Sequence, residues 1–151
     1  MICLLDFNPA LDEEIFVIFT NLHLLLVRSM FAITHTTPTR ALSQLRKLQR
    51  EGEAMLGSQD LLTPFDPCRW DARLVDYLRR IVADPSTVDD VVFRDMPALS
   101  MQDFTNPPPK LTRGELDEKV RQNISRSLII LAGYIEKLEA VVENEGTNTE
   151  T

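Results

Sequence analysis

Residues that make special chemistry easy are scarce in this 151-residue chain: two cysteines, two histidines, five glycines and one tryptophan. The glycines stand at 52, 57, 114, 133 and 146, so neither GxGxxG nor GxxxxGK followed by Ser or Thr can be written, and both phosphate-cradling loops are excluded. Cys3 and Cys68 form no CxxC pair and read as reduced thiols, since a chain of this length buries enough surface to fold without a disulfide or a structural metal. His23 and His35 lie twelve residues apart with no matching carboxylate pattern, so no metal site and no cofactor are expected. Basic groups are outnumbered 16 to 23, and the resulting charge of −7 repels phosphates and argues against a DNA-binding role.

Long hydrophobic runs are also missing. The most apolar stretch, Ile15 to Val27, holds thirteen uncharged residues, whereas a spanning helix needs about twenty. Extending it to Ile33 takes in Arg28, which is costly in a bilayer. The segment before it carries Asp6, Asp12, Glu13 and Glu14 and no Lys or Arg, unlike a secretory signal. It reads as a buried or interfacial helix. Residues 1–38 then form an apolar N-terminal helix and linker, and Met30 offers an alternative start that makes the first twenty-nine residues an extension. The apolar side chains Phe16, Phe19, Leu22 and Leu26 are the expected partner-binding residues, because a helix this hydrophobic needs cover.

What is present is helical periodicity. After Thr34 to Pro38, the positions Leu42, Leu45, Leu48, Met55 and Leu56 recur at helical spacing up to a stop at Gly57. Asp66 and Pro67 read as the N-cap and first residue of a second amphipathic helix carrying Trp70, Leu74, Tyr77, Leu78 and Ile81. Asp84-Pro85 ends it, and the sequence from Ser86 to Phe93 suggests one or two further turns. Residues 94–110, with Pro97 and Pro107 to Pro109, form a semi-rigid connection. Thr112 and Glu115 make a capping box, followed by a long helix with Leu116, Val120, Ile124, Leu128, Leu131, Ile135, Leu138 and Val142 on one face. Residues 39–143 form the helical domain, and 144–151 read as a disordered tail.

Few groups suggest chemistry. Arg46 and Arg50 in one helix, with Arg79 and Arg80 in the next, form a candidate anion-binding patch, although interleaved acids such as Glu51, Glu53 and Asp76 favour a solvated face. Adjacent acids such as Asp117-Glu118 diverge around a helix and read as solvation, and Ser125 and Ser127 read as surface residues of the long helix. Arg28 and His35, six residues apart, resemble the Arg-x4-6-His signature of HEPN-type ribonucleases. That resemblance implies metal-independent RNA cleavage, with His35 acting on the ribose hydroxyl or leaving oxygen and Arg28 stabilising phosphate charge. RNA is a partner only in that reading. Ser29 after the arginine, and a position in the first helix, depart from the family pattern.

The order ALSQLRKLQREGEAMLGS, then Phe65 and Trp70 before LVDYLRRI, then STVDDVVF and RSLIILAGYIEKLE resembles the small helical domains beside effector domains in bacterial antiviral-defence and TIR-like proteins, those termed AbiTii-like. The likeness covers residues 41–142 and implies an oligomerisation or sensing role. The expectation is therefore an all-α fold of four or five helices in an irregular bundle with a long C-terminal helix. Its expected role is a cytoplasmic, non-enzymatic interaction module that binds a protein partner or itself. A ribonuclease using Arg28 and His35 is the alternative, and membrane association through residues 15–33 the second alternative.

Overall fold

A computed structural model describes residues 9–34, 36–62, 65–89 and 112–147. Among the described residues the chain is all-α: α1 (Pro9–Ser29), α2 (Pro38–Gly57), α3 (Phe65–Ile81) and the long α4 (Arg113–Thr147), with one further helical turn at 85–89. The helix starts follow from local chemistry. Thr37 caps α2, its side chain accepting from the Arg40 N–H at 3.2 Å, with Pro38 in the first turn where no N–H is needed. At α4 the expected capping box forms, the Thr112 N–H donating to Glu115 Oε2 at 2.7 Å and the Glu115 N–H to Thr112 Oγ1 at 3.2 Å.

Three boundaries differ from the sequence reading. Helix α3 begins at Phe65, so Asp66 lies within the first turn as a favourable charge at the positive end of the helix dipole. It ends at Ile81, and Asp84 then serves the next turn: its carboxylate accepts from the Ser86 N–H at 3.0 Å and from Ser86 Oγ at 2.6 Å. Helix α4 continues through Thr147, four residues past the expected end of order, because Glu143 to Thr147 can extend a helix whose previous turn, at Val141, is anchored in the core. The Val91 to Phe93 turns and the 94–110 connection lie outside the described residues.

Helix α4 is the spine. Helix α2 packs along it, α3 packs on both, and the C-terminal end of α1 reaches it. The core draws Leu42, Leu45 and Leu48 from α2, Trp70, Leu74 and Leu78 from α3, and Val120, Ile124, Leu131, Ile135 and Leu138 from α4. Trp70 is almost fully buried, and its indole N–H donates to the Leu48 carbonyl at 2.9 Å. Its ring lies on Gly52 of α2: a Cβ there would come within 2.6 Å of Trp70 Cζ2 and 2.9 Å of Leu128 Cδ2. Here glycine permits close approach of the two helices. Val88 of the 85–89 turn closes one end of the core.

The break between α1 and α2 is joined to the bundle through backbone. The Ala32 N–H donates to the Ile81 carbonyl at 2.9 Å and the Ala83 N–H to the Met30 carbonyl at 2.8 Å, an antiparallel bridge pairing Phe31 with Val82. Val27 is buried in the core, and Phe31 and Ile33 pack against it. Side chains on both sides of residue 38 therefore contribute to the same interior.

Candidate functional site

Helix α1 behaves unlike the other three. Leu24 is half-buried and Val27 buried, so these two face the bundle. The other large apolar side chains among the described residues of the helix are bare: Ile15, Phe16, Val17, Ile18, Phe19, Leu22, Leu25 and Leu26 are between 42% and 71% exposed. All four residues singled out from sequence lie in this set, with Phe16 at 71%, Phe19 at 64%, Leu22 at 51% and Leu26 at 59%. Single exposed leucines are ordinary, but eight large apolar groups on one helix form the kind of contiguous patch that marks a docking surface. Within the helix Thr20 Oγ1 donates to the Phe16 carbonyl at 2.8 Å.

The charges on α1 lie at its ends. Glu13 and Glu14 are exposed in its first turns, and Arg28 sits in the last. Arg28 reaches Glu145 of α4 at 3.4 Å with both side chains well exposed, a pairing worth little in high dielectric. No helix among the described residues is long and apolar enough to cross a membrane. His35, the second member of the Arg28 and His35 pair, lies outside the described residues.

The arginines proposed as an anion site are mostly engaged by carboxylates. Arg46 pairs with Glu139 of α4, Arg79 with Asp89 and Arg80 with Asp76, while Arg50 is exposed. Each of the three pairs uses a different acid. Their local charge is thereby neutralised, which leaves little net attraction for an added phosphate. A shallow groove of about 500 Å³ lies between α2 and α3, lined by Glu51, Met55, Asp66, Arg69, Trp70 and Arg73. An Arg73 to Glu51 pair at 2.8 Å joins two of the side chains that line it.

Three side chains carry roles that the sequence reading missed. Arg121 donates Nη1 to the Leu56 carbonyl at 2.8 Å and Nη2 to the Ser58 and Asp60 carbonyls at 2.9 and 3.0 Å. It thus satisfies the carbonyl end of α2 from α4. Asp117 is also more than a solvated acid: it accepts from Arg121 Nε at 2.8 Å and from the Leu62 N–H at 2.8 Å. The Arg121 hydrogen bond first, and the Leu62 N–H second, hold its pKa below the usual 3.8. The i, i+4 spacing of Asp117 and Arg121 was the available signal. Ser127 is not a surface residue: it is buried and donates to Asp71 Oδ1 at 2.8 Å.

Burial raises the pKa of Asp71, and the Ser127 hydrogen bond only partly opposes that. Beside it, the half-buried Cys68 thiol is pushed up from its usual value by burial and by the Asp71 charge, the reverse of what activates a nucleophile. Among the described residues no group of three His, Cys, Asp or Glu side chains can hold a metal ion. No family model matches the chain, and no curated protein or solved structure matches it.

Proposed function

We propose that this protein is a non-catalytic helical interaction module, in which α2, α3 and α4 form a folded platform and α1 is the docking element. One observation carries this reading: the apolar residues of α1 stay in solvent in a chain that otherwise buries its patterned faces. Exposing so much apolar surface is unfavourable in water, so a docking role accounts for it. The charge pattern favours a protein partner over a lipid surface. Interfacial helices bind anionic membranes through a cationic polar face, whereas α1 has Glu13 and Glu14 at one end and Arg28 as its one basic residue. A cytoplasmic setting and a role accompanying bacterial defence effectors complete the proposal, both following from the resemblance of residues 41–142 to helical domains of that kind.

A photo-crosslinking residue at Phe19 or Leu22, with one at exposed Ile129 of α4 as control, tests this in cells producing the protein. Covalent protein adducts from the α1 positions and not from the control are expected. Lipid adducts, or none, would remove α1 from the role.

A further inference from the structure

Six of the eight bare apolar residues of α1 fall on one strip of the helix, with Phe16 and Val17 outside it. Ile15, Ile18, Leu22 and Leu25 step by three, four and three residues, which is a heptad a/d seam, and Phe19 and Leu26 stand beside it at successive e positions. This seam points away from Leu24 and Val27, the two residues turned toward the bundle. The g positions of the same heptads are Glu14, Asn21 and Arg28: negative, neutral and positive along the helix. Reversed, that series is its own complement.

From this we infer that α1 is a dimerisation helix that pairs with α1 of a second copy of this chain, running antiparallel about a two-fold axis. The inference rests on reading α1 as the docking element and names its occupant. One register pairs the four seam residues with one another. Ile15 opposes the partner's Leu25 and Ile18 opposes the partner's Leu22, with the same contacts repeated by symmetry. In that register Phe19 meets the partner's Phe19, Glu14 stands beside the partner's Arg28, and Asn21 faces the partner's Asn21. The helix dipoles also oppose one another. A parallel pair instead sets g positions against e positions, which here are Phe19 and Leu26, and leaves the charges without complements.

The area permits such a contact. Complete cover of the six seam and flank residues sets the upper limit at about 700 Å² per copy, or roughly 1,400 Å² for the pair, against the ~1,000 Å² a specific interface needs. A self-complementary patch of this kind is the ordinary basis of a two-fold dimer.

Sedimentation equilibrium of the purified full-length chain over a concentration series tests the inference, and twice the chain mass is expected. Leu22→Glu puts a carboxylate into the seam twice per dimer and should weaken association by ~100-fold or more, with helical content unchanged by circular dichroism. Arg28→Glu should weaken it a few-fold, and Glu14→Arg combined with Arg28→Glu should restore it. Both variants lose the Glu145 pairing, so the restoration isolates the intermolecular pair. In a Cys3→Ser, Cys68→Ser background, mixing chains carrying Ile15→Cys with chains carrying Leu25→Cys should give a disulfide-linked heterodimer, whereas Ile15→Cys alone should not cross-link to itself. A monomer at every concentration, or a dimer indifferent to Leu22→Glu, overturns the inference. If α1 then still photo-crosslinks to a different protein, the docking reading survives without self-pairing. Co-sedimentation with phosphatidylserine vesicles that depends on Leu22 would end both.

Discussion

Helices α4 and α1 both carry apolar stripes with heptad-like spacing, yet one is covered along its length and the other is bare. On α4 the buried line runs Val120, Ile124, Ser127, Leu131, Tyr134, Leu138 and Val141, and α2 and α3 lie over it. On α1 the bundle takes the two residues Leu24 and Val27 and leaves Ile15, Ile18, Leu22 and Leu25 in water. The contrast shows that an apolar stripe specifies a need for cover and not the source of it. Where the stripe is covered from within, substitutions should affect folding. Where it is bare, they should affect association.

The largest effect sharpens the covered side. Trp70→Ala empties the space between α2 and α4 and removes the indole donor to Leu48, and a loss of about 3–5 kcal/mol is expected from urea unfolding. Next comes Arg121→Ala, which strips the Leu56, Ser58 and Asp60 carbonyls of their donor and leaves Asp117 without its cation. A loss of about 2–3 kcal/mol is expected, with hydrogen exchange accelerating first at the end of α2. Gly52→Ala forces a methyl into the Trp70 ring face, where a rigid indole has little room to yield, and about 1–3 kcal/mol of overpacking should follow. If Gly52→Ala proved neutral, the contact between α2 and α3 would be looser than the fold implies.

Two buried or partly buried acids should respond to pH in opposite directions. The folded pKa of Asp117 lies below 3.8, so its contribution is complete above that value and is lost as pH falls through the folded pKa. Asp117→Asn should therefore flatten the acid limb of a plot of urea midpoint against pH. The folded pKa of Asp71 lies above 3.8, so its ionisation costs stability as pH rises from 3.8 through the folded value. Asp71→Asn keeps an acceptor for Ser127 and should leave stability at neutral pH equal or higher. A clear loss at neutral pH would show that the carboxylate charge itself supports the pair.

Much of the platform was legible in the sequence because its signals are local. Thr112 with Glu115 and the spacing of Leu42, Leu45 and Leu48 each act within one or two turns, and each forms as that chemistry requires. The missed features depend on what lies opposite in space. Gly52 carries no signal of its own in the sequence, and only the arrival of Trp70 makes it a packing requirement. Ser127 looked like a surface residue because nothing in its neighbourhood in sequence announces Asp71, which is 56 residues away. The apolar character of α1 was equally plain, but composition alone could not say which side of the helix the bundle would leave uncovered.

The smallest expected effect is the most discriminating for that uncovered side. Phe16 is the most exposed of the large apolar residues on α1, yet it stands outside the a, d and e positions of the seam. If exposure alone made α1 adhesive, Phe16→Gln would weaken association as much as any other change on the helix. If the seam sets the contact, Phe16→Gln should leave the sedimentation mass unchanged and shift unfolding by no more than about 0.5 kcal/mol, since glutamine is at least as good a helix former as phenylalanine. Leu22→Glu, two turns away and less exposed, should then separate the copies. Equal behaviour of the two variants would reduce the heptad pattern on α1 to coincidence and leave its hydrophobicity as the operative property.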